Sequence, residues 1–185
     1  MFIVKPEAAC QGKGIFLIRD LQDMDRQLAA QNAAGFSSGL ASGGQQITGD
    51  YFHCVIQEYI SRPLLIDKMK FDLRLYVLVL GVDPLRIFLF KDGLARLATT
   101  AYSKPTERNM TNMRMHLTNY AINKNSLNFS KNYTAAADFV GSKRSLKFVM
   151  RYLRKTLNAD TTKLMREIKD LTVKTILSGQ PHLSH

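Results

Sequence analysis

Two apolar runs, LRLYVLVL over residues 73–80 and RIFLF over 86–90, constrain this chain most, because only a short turn, GVDP, links them. Runs rich in aromatic and aliphatic side chains read as strands, and a link this short lets them pair only antiparallel. Lys91-Asp92-Gly93 is a second turn signal, after which LARLA returns as a further strand.

Other segments supply partners for such a sheet. FIVK (2–5) and GIFLI (14–18) read as short strands joined by a glycine-containing turn, and CVIQEYI (54–60) as another strand. Asp20 to Gln31 is a short helix with Leu21, Met24 and Leu28 at helical spacing. Two helices close the chain. The first carries the stripe Leu146, Val149, Met150, Leu153 and Leu157; the second has Asp160 as N-cap for Leu164, Ile168, Leu171 and Ile176, with Gly179 and Pro181 ending it. The Gly-, Ser- and Ala-rich stretch 32–50 buries too little apolar surface to offset its chain entropy and is expected to be a flexible insertion. Residues 102–142 are polar and irregular. The pattern is α+β, without an internal repeat.

A chain of 185 residues with 45% hydrophobic and 22% charged residues suits one domain with a sizeable core. No run approaches the roughly 18 apolar residues that span a bilayer, and no secretory leader is expected. Cys10 and Cys54 have neither CxxC spacing nor a nearby histidine pair, so reduced cytosolic thiols are expected and no metal ligand is assigned. The net charge is +11, and between Leu94 and Arg154 eleven Lys and Arg face two acids, Glu107 and Asp138. Such an imbalance calls for an acidic partner. Nucleic acid is not favoured, since no RNP-like aromatic pattern, zinc finger or helix-turn-helix signature accompanies the charge.

Several stretches carry chemistry. QGKG (11–14) is neither GxxxxGK[ST] nor GxGxxG; taken alone it reads as a turn between strands, with a phosphate cradle left open. QEYI (57–60) is a strand leaving the core, or a strand end whose backbone meets an adenine edge beneath Ile60. Along KMKFDLRLYVLV (68–79), Lys70, Asp72, Arg74 and Tyr76 share one face, which is either solvated or lines a polar cleft. There Lys70 suits phosphate charge, and Arg74 a carboxylate or phosphate fork. HLTNYAINK (116–124) reads as a polar loop; its His116 has no Ser or Cys partner, reads as structural, and leaves no nucleophilic triad.

In this order, IVKPEAACQGKGIFL, VIQEYISRPLLID, KFDLRLYVLV, DPLRIFLFKDGLAR, HLTNYAINK and VGSKRSL resemble the tubulin tyrosine ligase-like family of ATP-grasp enzymes, with SRPLLIDKMKFDLR and DPLRIFLFKDGLARLATTAY closest to its polyglutamylases. The resemblance implies an ATP-grasp-like antiparallel sheet with flanking helices. It implies an ATP site of Lys5, Gln11, Lys13, Gly14, Gln57, Glu58, Tyr59, Ile60, Lys70, Asp72, Thr118 and Asn119, with Lys70 and Arg74 catalytic. Arg96, Tyr120 and Lys143 would hold incoming free glutamate. The implied reaction joins glutamate to glutamate side chains of tubulin tails through an acyl phosphate, and depends on positioning and charge neutralisation. Implied too are a monomer acting on microtubules, cytoplasmic and cytoskeletal, including cilium or basal body, with no nucleic acid and no membrane. Family members carry magnesium ligands in a Glu-x-Asn segment beyond the second helix, whereas this chain ends at Ser184-His185. The expectation is therefore a domain truncated at both ends and inactive alone. The alternative is a non-catalytic basic module, docking on acidic tubulin tails through Lys143, Arg144, Lys147, Arg151, Arg154 and Lys155.

Overall fold

Alternating apolar positions in the first strand set up the fold. In a computed structural model describing residues 1–7, 10–33, 53–131 and 138–183, β1 (Phe2–Pro6) is flanked antiparallel by β2 (Phe16–Ile18) and β3 (Cys54–Glu58), in the order β2-β1-β3. One face buries Ile3 and Leu17 with Tyr59, Met110 and Leu117; the other buries Val4, Phe16 and Ile18 beneath Met24 and Leu28 of helix α1 (Leu21–Ala33). Both faces are thus covered, which explains the near-continuous apolar sequences FIV and FLI.

α1 begins one residue later than the expected Asp20, whose carboxylate instead accepts from the Asp23 amide at 2.9 Å. Asp23 is itself gripped by Arg19, whose Nε donates at 2.7 Å and Nη2 at 3.1 Å. Those bonds from Arg19 pull the Asp23 carboxyl down from its ordinary 3.8 to about 2. With the folded value below the unfolded one, this group stabilises the fold above about pH 4, and the contribution fades as pH falls towards 2. Asp23→Asn has no such proton to take up. Its melting temperature, already lower at neutral pH, is expected to drop less than that of the parent between those two pH values.

The chain divides into two units, Met1–Phe71 with Leu97–Phe129 and Asp72–Arg96 with Ser130–His185. In the first, β4 (Leu65–Ile66) turns back onto the start of β5 (Met69–Val82) through Asp67 and Lys68, both at positive φ, 52° and 64°. Successive left-handed residues make the two-residue hairpin whose twist matches paired strands. Helical turns α2 (Met113–His116) and α3 (Tyr120–Asn123) follow, where the sequence predicts an irregular loop. Residues 34–50 of the expected flexible insertion lie outside the described residues.

In the second unit, β5 pairs with β6 (Leu85–Leu97), which pairs antiparallel with β7 (Lys143–Ser145). The GVDP turn stands as expected, but Lys91-Asp92-Gly93 is not a turn: β6 runs straight through it. Asp92 uses its carboxylate locally, accepting from the Gly93 amide at 2.8 Å, and Gly93 lies against the Arg74 backbone of β5. Helix α4 (Leu146–Leu157) opens on Ser145, whose hydroxyl accepts from the Phe148 amide, and buries Leu146, Val149 and Leu153. Asn158 at φ 49° ends it in the left-handed conformation favoured at such stops. Asp160 then caps α5 (Thr161–Leu183), accepting from the Thr162 and Lys163 amides. α5 continues past Gly179 and Pro181 instead of stopping there, and the Gln180 amide donates to the Val82 carbonyl at 2.9 Å. Among the described residues no helix is long and apolar enough to cross a membrane.

Candidate functional site

Strand parity builds the site of the first unit. Tyr59 donates its amide to the Met1 carbonyl and His53 accepts from the Glu7 amide, so residues 53, 55, 57 and 59 bond towards β1. By antiparallel alternation, the Glu58 carbonyl and the Ile60 amide point the other way, off the edge that β3 forms among the described residues. An acceptor and a donor two residues apart along an open strand match the amine and ring nitrogen of an adenine edge. Ile60, 70% exposed, stands beside them.

The same alternation puts Lys5, Gln57 and Tyr59 on one face. The Lys5 ammonium donates to Gln57 Oε1 at 2.7 Å. Lys70, from the start of β5, hangs its ammonium over the Tyr59 ring, 4.3 Å from the centroid, and donates to the phenol oxygen at 3.1 Å. Two ammonium groups on one side of a sheet whose edge can pair with a base suit an anion attached to that base.

The QGKG turn joins β1 to β2 and meets the HLTN segment. Gln11, Gly12 and Gly14 take φ of 61°, 87° and 66°, and the Lys13 amide donates to the Cys10 carbonyl. A Cβ at Gly12 would sit 2.9 Å from Asn119 Cγ, so glycine is needed there both for its backbone and for the close approach of the HLTN segment. That segment is held by Asn123, which is 1% exposed. Its Oδ1 accepts from the Thr99 amide at 3.0 Å and hydroxyl at 2.7 Å. Its Nδ2 donates to the carbonyls of Leu117 at 2.9 Å and Asn119 at 3.0 Å.

Of the expected nucleotide set, Lys5, Gln11, Lys13, Gly14, Gln57, Glu58, Tyr59, Ile60, Lys70, Thr118 and Asn119 belong to this unit, and Asp72 to the other. Tyr59 is buried, so its ring supports Lys70 while its backbone continues the strand edge. Tyr120 also belongs here, edge-on to Phe129 with ring centroids 5.7 Å apart.

In the second unit Arg96 and Lys143 are cross-strand partners and therefore point to one face. Asp72 takes one edge of the Arg96 guanidinium, from Nε at 3.0 Å and Nη2 at 2.6 Å, and this pairing raises the Arg96 pKa. Arg74 is exposed two positions along β5. Arg96 and Lys143 thus share one sheet face, and Asp72 holds the arginine side chain on it. Sequence reasoning passed over Asn123 and the anchoring use of His116. The one signal for Asn123 is its place four residues after Asn119, where a helical turn lets an amide reach back to a carbonyl.

Cys10 and Cys54 are free thiols. Among the described residues no three His, Cys, Asp or Glu side chains converge as a cation site.

A sequence model of the Tubulin-tyrosine ligase family matches residues 1–185. The chain belongs to this family. Similar curated proteins include a Probable beta-tubulin polyglutamylase of Tetrahymena thermophila, 44% identical over 185 residues, covering 100% of this chain and 13% of the relative. Tubulin polyglutamylase TTLL6 of Homo sapiens is 40% identical, and Tubulin polyglutamylase TTLL7 of Xenopus tropicalis 39%, each over 184 residues, covering 100% of this chain and 17% of the relative. The chain therefore spans less than a fifth of the length of these tubulin-tyrosine ligase family members. The mixed α and antiparallel β architecture agrees with the ATP-grasp-like fold that the resemblance implies.

Proposed function

We propose that this chain carries the adenine- and phosphate-binding half of an ATP-dependent ligase that adds glutamate to glutamate side chains of tubulin tails. The observation that carries the reading is the face where Lys5 and Lys70 stand beside the open β3 edge with its Glu58 carbonyl and Ile60 amide. Bound ATP would supply the phosphoryl group that turns an acceptor carboxylate into an acyl phosphate, which an amino acid's amine attacks with loss of phosphate. Lys5 and Lys70 would hold and neutralise phosphate oxygens, and the QGKG turn would bring Lys13 to them. Arg96 and Lys143 would bind the two carboxylates of incoming glutamate, consistent with two cations side by side on one sheet face. The names of its relatives support tubulin as acceptor, and with it a place on the cytoskeleton.

Calorimetric titration of the 185-residue chain with a non-hydrolysable ATP analogue tests the nucleotide part. Saturable binding is expected, weakened at least about tenfold by Lys5→Ala and by Lys70→Ala, since each removes a charge-assisted bond. Unchanged affinity in both variants would remove the lysines from the site.

A second reading, docking on acidic tails, is supported by a groove of about 440 Å³ in the second unit, where Arg154, Arg166 and Lys169 line the wall with no carboxylate. Microtubules stripped of their acidic tails should then co-sediment less of the chain; undiminished binding rules that reading out.

A further inference from the structure

The buried His116 meets neither phosphate nor glutamate in the function proposed above, yet its two ring nitrogens have different partners. Nε2 lies 3.0 Å from the Asn109 carbonyl, which can only accept, so Nε2 carries the hydrogen. Desolvation lowers the His116 pKa, with the Lys70 charge adding to that effect, so the ring is neutral and Nδ1 is a bare acceptor. The Tyr59 hydroxyl lies 2.9 Å from Nδ1. The Tyr102 hydroxyl, itself donating to the Ser61 carbonyl at 2.9 Å, is the other acceptor beside it, but a bare buried Nδ1 needs a donor, so Tyr59 gives its hydrogen to His116. Burial raises the Tyr59 pKa, so that proton stays on the phenol. With its hydrogen committed to His116, the phenol oxygen turns its lone pairs outwards, and the Lys70 ammonium, which can only donate, takes one at 3.1 Å. Every donor and acceptor role in the chain Lys70–Tyr59–His116–Asn109 then follows from the carbonyl at its far end.

We propose that Tyr59 and His116 are positioning residues for Lys70, a hydrogen-bond relay from the Asn109 carbonyl that holds the ammonium on the face shared with Lys5 and Gln57. A lysine on four rotatable bonds otherwise loses its rotamer freedom when an anion arrives; here the restriction is built in before binding. The role of the held ammonium rests on the nucleotide reading, whereas the holding itself does not.

Lysine side-chain nitrogen NMR on the nucleotide-free chain separates the two. Near neutral pH, exposed lysine ammonium signals are lost to exchange with water, and the Lys70 signal, identified by its absence in Lys70→Arg, is expected to persist. Tyr59→Phe should abolish it. His116→Gln should abolish it too, because the glutamine amide reaches Asn109 but offers no acceptor at the Nδ1 position. His116→Asn should keep it, because the asparagine oxygen replaces Nδ1. A purely structural His116 would leave the signal unmoved in every variant that still folds. No persistent Lys70 signal in the parent chain, or one unaltered in Tyr59→Phe and His116→Gln, overturns the proposal. If Tyr59→Phe does not fold, the two His116 variants decide.

The ATP analogue provides the other arm, with binding expected to weaken roughly tenfold in His116→Gln and to recover in His116→Asn. A protected Lys70 signal in a chain that binds no nucleotide would keep the relay and discard the nucleotide reading. Binding without a protected signal would do the reverse.

Discussion

Replacing Asn123 by leucine is expected to destabilise the chain by about 3–4 kcal/mol, read as a lower urea midpoint at unchanged m-value. The side chain is buried and makes four hydrogen bonds, two into Thr99 and one each to the Leu117 and Asn119 carbonyls. Each is worth about 1 kcal/mol net, and leucine leaves buried polar partners unmet, at about 1–3 kcal/mol apiece before relaxation. Favourable burial of the leucine offsets part of that loss. Asn128→Ala is the control: its amide makes one bond, to the Thr99 carbonyl at 3.2 Å, so about 1 kcal/mol is expected. Equal, small losses in both would mean that the amide network does not hold the HLTN segment. The larger loss carries a functional consequence. Asn119 meets Gly12 of the glycine turn, so a loosened segment should also weaken nucleotide binding under conditions where the variant remains folded.

What could be read in advance follows from how local each determinant is. The GVDP turn, the Asp160 cap and Leu146, Val149 and Leu153 of the α4 stripe depend on neighbours a few residues away, and the structure has them where the sequence puts them, whereas Leu157 of that stripe is exposed. The misread features depend on distant partners. Lys91-Asp92-Gly93 has turn composition, but its glycine is there because β5 passes close by, and Asp92 accepts from the Lys147 amide as well as from Gly93. Gly179 and Pro181 look like a helix stop, but they lie in the last turns of α5, next to the Gln180 bond to Val82. The site divides similarly. Lys5, Gln57 and Lys70 are assigned through family resemblance, and the register of β1 against β3 brings Lys5 to Gln57 across 52 positions. The role of His116 could not be read from HLTN, because its partner Tyr59 is 57 residues away.

The two misread glycines predict opposite responses to one substitution. Gly93→Ala is expected to cost about 2 kcal/mol, whereas Gly179→Ala should stabilise by about 0.5–1 kcal/mol. At Gly93 an added Cβ would lie 2.6 Å from the Arg74 carbonyl oxygen and 3.2 Å from Leu75 Cδ2. The first obstacle is backbone, so β5 and β6 must separate locally. At Gly179 nothing lies within 4 Å and the residue is helical, so alanine adds helix propensity without a clash. Paired denaturation curves check both signs. The strand separation also bears on chemistry, because Arg96 follows Gly93 by three residues and Asp72 precedes Arg74 by two. Moving the strands apart at that point pulls on the ion pair that orients the guanidinium beside Lys143. In a parent enzyme that transfers glutamate, Gly93→Ala should therefore raise the KM for the amino acid more than that for ATP. An equal change in both would mean that the strand pair acts on stability alone, and that the Asp72–Arg96 fork is not where glutamate is selected.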